Sequence, residues 1–273
     1  MSGQVALPRP AQSPAPAILA ALRRLLLQGA SVAILLLAWL VAGQLHLIRP
    51  FLLPPLPDVV GRLGTDMLGG AFFLNAGLTL YRAVLGFALA CAIGIPLGIL
   101  IASGRVMRWF WEPLISVGFP MPKIAFLPIF MLWFGLYDLS KIVMVAFAAV
   151  FTVVAAAEAG TRGVDKVLVW SARSMGAGRV AVFHEVVLPA AMPQILTGLQ
   201  VALPVALITT VVAEMLMGGA GLGGMMMQAG SYADSVGVYA GIVETALVGT
   251  VAVAAMAQAR RRLLRWHPEF NPR

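Results

Sequence analysis

Six apolar runs, each about as long as a lipid bilayer is thick, decide what this chain can become. They lie at roughly 29–48, 78–102, 111–136, 142–159, 195–217 and 238–259. A hydrocarbon layer ~30 Å deep is crossed by ~20 residues rising ~1.5 Å each. In that layer the backbone polar groups of such a run are satisfied only if it is helical. The composition agrees, since 60% of the 273 residues are hydrophobic and 11% are charged, against ~25% charged in an ordinary soluble domain. The sequence therefore predicts an all-α polytopic membrane protein with about six transmembrane helices. It excludes a soluble enzyme, a disordered hub and a disulfide-stapled secreted domain. The single cysteine, Cys91, cannot form an internal disulfide. The first run is too long, and begins too far along the chain, for a secretory signal.

The net charge of +8 arises from 19 Lys and Arg against 11 Asp and Glu. In a soluble domain that surplus points to nucleic acid. Here it is a matter of topology, because fourteen of the cations fall before the first span, between spans two and three, between four and five, and after six. Only Arg49, Arg62 and Lys141 fall on the other side, and Arg82 and Lys123 lie within spans. The positive-inside rule then places both termini in the cytoplasm. It leaves no role for nucleic acid.

The chain divides into a mobile N-terminal tail (1–28), a transmembrane domain (29–259) and a basic C-terminal tail (260–273). The first outer loop holds Pro50, Pro54, Pro55 and Pro57 and then a short helical stretch over 58–68. The last outer loop carries Gly218, Gly219, Gly221, Gly223 and Gly224. The inner loop at about 160–194 is the longest cytoplasmic connection, and loops beyond ~12–15 residues are commonly functional. Within it, 171–185 reads as one or two short helices broken at Gly176–Ala177–Gly178, with Pro189 and Pro193 stopping the chain on its return to the membrane. An exposed helical segment with an apolar face suits a groove on a partner or the headgroup layer. Ser171, Ala172, Arg173, Met175, Gly176, Ala177, Arg179 and Phe183 are its candidate contact residues.

That segment resembles the EAA loop of ABC-importer permeases, E-A-A-x3-G-x9-I-x-L-P. Gly176 supplies the glycine, Val186 stands for the Ile, and Leu188–Pro189 close the pattern. Ala172 matches the second Ala, while Ser171 and Trp170 replace the first Ala and the Glu. Further stretches resemble the nitrate, sulfonate and taurine branch. They include Pro54–Val59, Thr79 with Arg82 and Gly86–Phe87, Gly94–Gly98, Pro122–Ala125 with Pro128, Leu132–Gly135, Leu188–Pro193, Gly198–Leu199, Ala213–Glu214 and Gly221–Gly223. The resemblance covers about 50–230 and implies the type I ABC importer permease fold, working as a dimer in the bacterial cytoplasmic (inner) membrane. It implies a coupling helix seated on each of two ATP-binding subunits, which hold the ATP and Mg. It also implies a periplasmic or lipoprotein solute-binding protein. The implied cargo is a small anion such as a sulfonate, taurine or nitrate.

Ionisable groups at membrane depth are costly and usually face protein or water. Lys123 stands among Pro113, Pro120, Pro122 and Pro128, so its helix is expected to be kinked or broken. Three readings are open for it: a cation that attracts an anionic substrate, a partner for a carboxylate, or an interfacial residue. Glu214 and Glu244 are expected near the outer ends of their spans, pairing with Arg82 or lining a gate. Pro122, Lys123, Glu214 and Met217 are the candidate path or gate residues. Small residues at Ala83, Gly86, Ala90 and Gly94 predict close helix packing. His46, His184 and His267 form no ligand spacing, so no metal is expected. No G-x4-G-K-[ST] motif occurs, so this chain is expected to hydrolyse nothing itself and to carry no cofactor. The function expected is that of the membrane permease of an ATP-driven importer. The alternative is a secondary transporter driven by an ion gradient, which would call for midplane ionisable residues and, often, repeated halves.

Overall fold

The computed structural model describes the backbone of residues 15–45 and 47–267, and the side chains among them from Gly29 onward. Residues 1–14, half of the expected tail, lie outside the described residues, as do His46 and 268–273. Every regular element among the described residues is helical.

The chain divides into two compact units, 1–58 and 59–273. In the first, α1 runs over Ala15–Gln44, and its described apolar stretch is Gly29–Gln44. The proline-rich segment after it folds back, with the Trp39 indole N–H donating to the Pro54 carbonyl at 2.9 Å. The amides of Leu52 and Leu53 both turn onto the Arg49 carbonyl. Helix α2 (Leu56–Leu68) starts two residues ahead of the expected stretch, with Pro57 and Asp58 in its first turn. Both residues favour a helix start there, one by its fixed φ and the other by its charge.

The second unit contains α3 (Ala71–Ser103), α4 (Arg105–Gly118), a 3-10 turn (Lys123–Phe126), α5 (Leu127–Phe134) and α6 (Asp138–Arg162). It continues with α7 (Lys166–Ser174), α8 (Arg179–Ala181), a π turn (Val182–Val187), α9 (Leu188–Met217), α10 (Leu222–Ser231) and α11 (Ser235–Leu263). Four segments are long and apolar enough to cross a membrane: α3, α6, the continuous run Arg179–Met217, and α11. The expected third span is no single helix. Its halves, Arg105–Gly118 and Lys123–Phe134, meet at 95° and make a fifth crossing only as a bent pair. Pro120 and Pro122 fall in the break, where neither can donate a backbone hydrogen bond.

Helices α3, α6 and α11 extend beyond the expected spans at both ends, and in α6 the charged residues Asp138 and Arg162 are still helical. The prolines of the loop exit do not stop the chain either. The Leu188 amide reaches five residues back, to the Phe183 carbonyl. That π register lets Pro189, which has no N–H, enter the first turn of α9 without breaking the rod.

Helix α6 is the central member, packed on α3 along one side and α9 along the other. Glycines make both seams. A Cβ on Gly86 would lie 2.6 Å from Val145 Cβ, and one on Gly98 would lie 2.5 Å from the Val154 carbonyl oxygen. On the opposite side Gly160 faces the Ala191 carbonyl and Gly198 faces Ala156. Such seams replace the hydrophobic drive that lipid does not provide with close van der Waals contact. Around them Val145, Ala149, Val153, Ala157, Ile195 and Leu199 form the main core. Gly98→Leu should therefore cost at least ~1–3 kcal/mol and lower the thermal midpoint in detergent. Gly77→Ala, on the same helix with nothing within 4 Å, should leave that midpoint unchanged.

Candidate functional site

Three places along the bundle carry chemistry. The first is at the end where α6 begins. Arg82 of α3 is buried, with Nη1 2.6 Å from Glu214 Oε1 of α9 and Nη2 2.7 Å from Asp138 Oδ1 of α6. Its Nη1 also donates to the Ala220 carbonyl at 2.6 Å. Glu214, 0% exposed, accepts from the Thr79 hydroxyl at 2.9 Å and from the Gly223 amide at 3.1 Å. The Leu222 amide donates to Thr79 Oγ1 and the Gly221 amide to Asn75 Oδ1. Three successive amides at the start of α10 are thus held by side chains of α3 and α9. Gly221, at φ +124°, lies so close to the Glu214 carboxylate that a Cβ there would collide with it. Lys141 of α6, 2% exposed, donates to the Gly218 carbonyl at 2.8 Å. Two cations and two carboxylates balance, and together they pin the glycine-rich turn.

The second place is at the opposite end. Asp165 caps α7 by accepting from the Val167 amide at 2.9 Å. The helix closes as the Gly176 amide bonds the Arg173 carbonyl and the Ala177 amide bonds the Ala172 carbonyl. Gly176 has φ +88°, a left-handed conformation that costs a side chain energy. The turn leaves a rim of large apolar residues open. Met175 is 82% exposed and Trp170 61%, and Val167, Leu168 and Val180 are exposed beside them. Ser171, Arg173 and Arg179 are exposed too, whereas Ala172 is buried and Ala177 and Phe183 are partly covered.

The third place is the break between α4 and α5. Lys123 Nζ donates to the Phe119 carbonyl at 2.6 Å and lies 5.6 Å from the ring centres of Phe119 and of Phe151 on α6. Gly118 packs against that Phe151 ring with no room for a Cβ. Pro122 is exposed.

Residues 94–265 match the family model described as binding-protein-dependent transport system inner membrane component. The chain belongs to that family. This permease is 35% identical over 255 residues to the taurine transport system permease protein TauC of Escherichia coli K12, covering 91% of this chain and 92% of the relative. It is 32% identical over 239 residues to the putative aliphatic sulfonates transport permease protein SsuC of Bacillus subtilis 168, covering 88% and 87%. Its fold matches a chain of the inward-facing MetNI methionine ABC transporter with a TM-score of 0.60 at 19% identity, covering 70% of this chain and 93% of that one. The type I importer permease fold expected from the sequence is therefore the fold of this chain.

The structure brings together some of the expected residues and separates others. Arg82 and Glu214 meet, as expected of one of the two glutamates. Glu244 does not join them. It is buried at 1% exposure on α11, with both carboxylate oxygens unpartnered among the described residues, and the charges acting on it are Asp66 and Arg62. Met217 is buried and packed among Leu127, Phe130, Met144 and Ala213. Lys123 makes no ion pair with a carboxylate among the described residues. On α2, burial would pull the Arg62 guanidinium down, but hydrogen bonds and charge from Asp66, then Asp234, hold it above the usual arginine range.

Lys141, Asp138 and Asn75 were not among the candidates. The signal for Asn75 is the polar stripe Asn75–Thr79–Arg82 at helical spacing on an otherwise apolar helix; Asp138 and Lys141 lie at the start of α6, where charge reads as an ordinary helix end. Arg82→Met leaves Glu214 buried without its main partner and should destabilise the permease by ~3–5 kcal/mol. The check is a denaturation midpoint, which the exposed Arg173→Met should not shift.

Proposed function

We propose that this permease is the membrane part of an ATP-driven importer of small organic anions, sulfonates above all. Two copies form one translocation path in the bacterial cytoplasmic membrane, with both termini cytoplasmic and α1 completing six spans. Two ATP-binding subunits, carrying ATP and Mg, bind the 166–180 turns of the two copies. A solute-binding protein delivers cargo at the end that holds the Arg82–Glu214 cluster.

The observation that carries the reading is the bare apolar rim around Gly176. Val167, Leu168, Trp170, Met175 and Val180 are all exposed along α7, the bend after it and α8, next to the cationic Lys166, Arg173 and Arg179. An apolar helix face of this size fits a groove on a protein partner. The positive-inside rule puts that turn on the cytoplasmic side, where the ATPase is. The cargo class rests on the sulfonate and taurine permeases to which the chain is similar.

Energy reaches the path by linkage. ATP binding brings the two ATPase subunits together, and each drags the turn it holds. Asp165 and the hydrogen bonds at Gly176 make that turn stiff. The π turn joins it without interruption to α9, so its motion is delivered to the bundle as a rigid-body movement.

Co-expression with the ATPase encoded beside it, followed by purification on a tag on the permease, tests the reading. The wild-type chain should bring down the ATPase in equal copy number. Met175→Glu and Trp170→Glu should each reduce that recovery at least tenfold while leaving the thermal midpoint of the permease unchanged. Full ATPase recovery with both variants would refute the docking site.

A further inference from the structure

The break between α4 and α5 lies halfway through the bundle. Phe151, against which both Gly118 and Lys123 are placed, is thirteen residues from the start of α6 and eleven from its end. At ~1.5 Å per residue that is ~20 Å from one end and ~16 Å from the other. Irregular backbone at such a depth persists only where protein covers it or where it lines a watery cavity. Yet Phe119, Pro122 and Ile124 are exposed on the single chain. A lysine at the same level has spent one of its three protons on the Phe119 carbonyl. No carboxylate neutralises it among the described residues. Every other described cation on the spanning segments has a different setting: Arg82 is paired, Lys141 is tied to a carbonyl at the bundle end, and the rest are near helix ends.

From this geometry we infer that Lys123 is an anion-binding residue at the middle of the translocation path, where its ammonium holds the charged group of the solute in transit. The two ring faces beside it stabilise the ammonium by cation–π attraction when no solute is present. They do so without neutralising it, so a passing anion finds an available counter-charge. One cation per copy gives a shallow site, strong enough for entry and weak enough for release. The inference rests on the proposed anionic cargo and names the residue that meets it.

The test uses the whole complex of permease, ATPase and binding protein in proteoliposomes, with radiolabelled taurine and ethanesulfonate as probes. The background is Cys91→Ala, which removes the only cysteine of the chain. Lys123→Cys should lower uptake of both probes at least tenfold. Treatment with 2-aminoethyl methanethiosulfonate, which restores an ammonium, should return most of the uptake. Treatment with the sulfonatoethyl reagent should not, and saturating ethanesulfonate should slow the labelling. Uptake by Lys123→Cys at the parental rate would overturn the assignment, as would equal recovery with either reagent. If neutral variants (Lys123→Cys, Lys123→Met) fail to assemble while Lys123→Arg assembles, Lys123 is a cap of the break and the assignment falls. A parental complex that moves neither probe would instead sink the cargo reading itself, and the assignment with it.

Discussion

Glu214 is a carboxylate with no exposure inside an apolar helical bundle, and the end of the bundle around it is arranged to keep that charge satisfied. A charge in such a place is tolerated only with a full set of partners. Arg82, Thr79 and the Gly223 amide supply them. The consequence is long-range order. One residue of α9 fixes where α3 stands, where the glycine-rich turn closes and where α10 begins. Lys141 and Asp138 extend the same constraint to α6. The three central helices are thereby locked together at one end, and the glycine seams carry that close approach down their length.

This makes α6 a ruler for the molecule. Its start belongs to the buried charge cluster, its middle holds Phe151 beside the broken helix, and its end leads into the exposed turn around Gly176. The three sites differ in physical character as their proposed tasks do. The first is rigid and fully paired, which suits a fixed end that meets a delivery protein. The middle is kinked and unneutralised, which suits a solute passing through. The last is apolar and bare, which suits a partner that drives the cycle. A π turn rather than a loop connects the driven end to α9, so little movement is lost between them.

Much of this was legible in the sequence. Apolar run length located four spanning segments, α3, α6, α9 and α11, and the glycine-to-proline spacing located the turn at Gly176. The break at Lys123 followed from four nearby prolines. Three things were not legible, each for a physical reason. Proline position signals a break but not its size, and the 95° angle depends on how Gly118 and Lys123 pack against α6. Helix α10 hides in a stretch of glycines and methionines, since its start is stabilised by the remote side chains Asn75, Thr79 and Glu214 rather than by a local cap. Which side of α7 faces out is also a tertiary matter: Ala172 is turned inward, and Trp170, which stands where the family pattern has its Glu, is part of the open rim.

The central claim is that movement of solute is driven through the turn at Gly176 by ATP hydrolysis on a partner. Uptake of a sulfonate into proteoliposomes, measured with and without the ATPase subunit and with ionophores present, tests it most directly. The account predicts uptake that needs the ATPase, ATP and the binding protein and that is indifferent to collapse of ion gradients. Uptake by the permease alone, abolished by an ionophore, would contradict it and identify a secondary carrier.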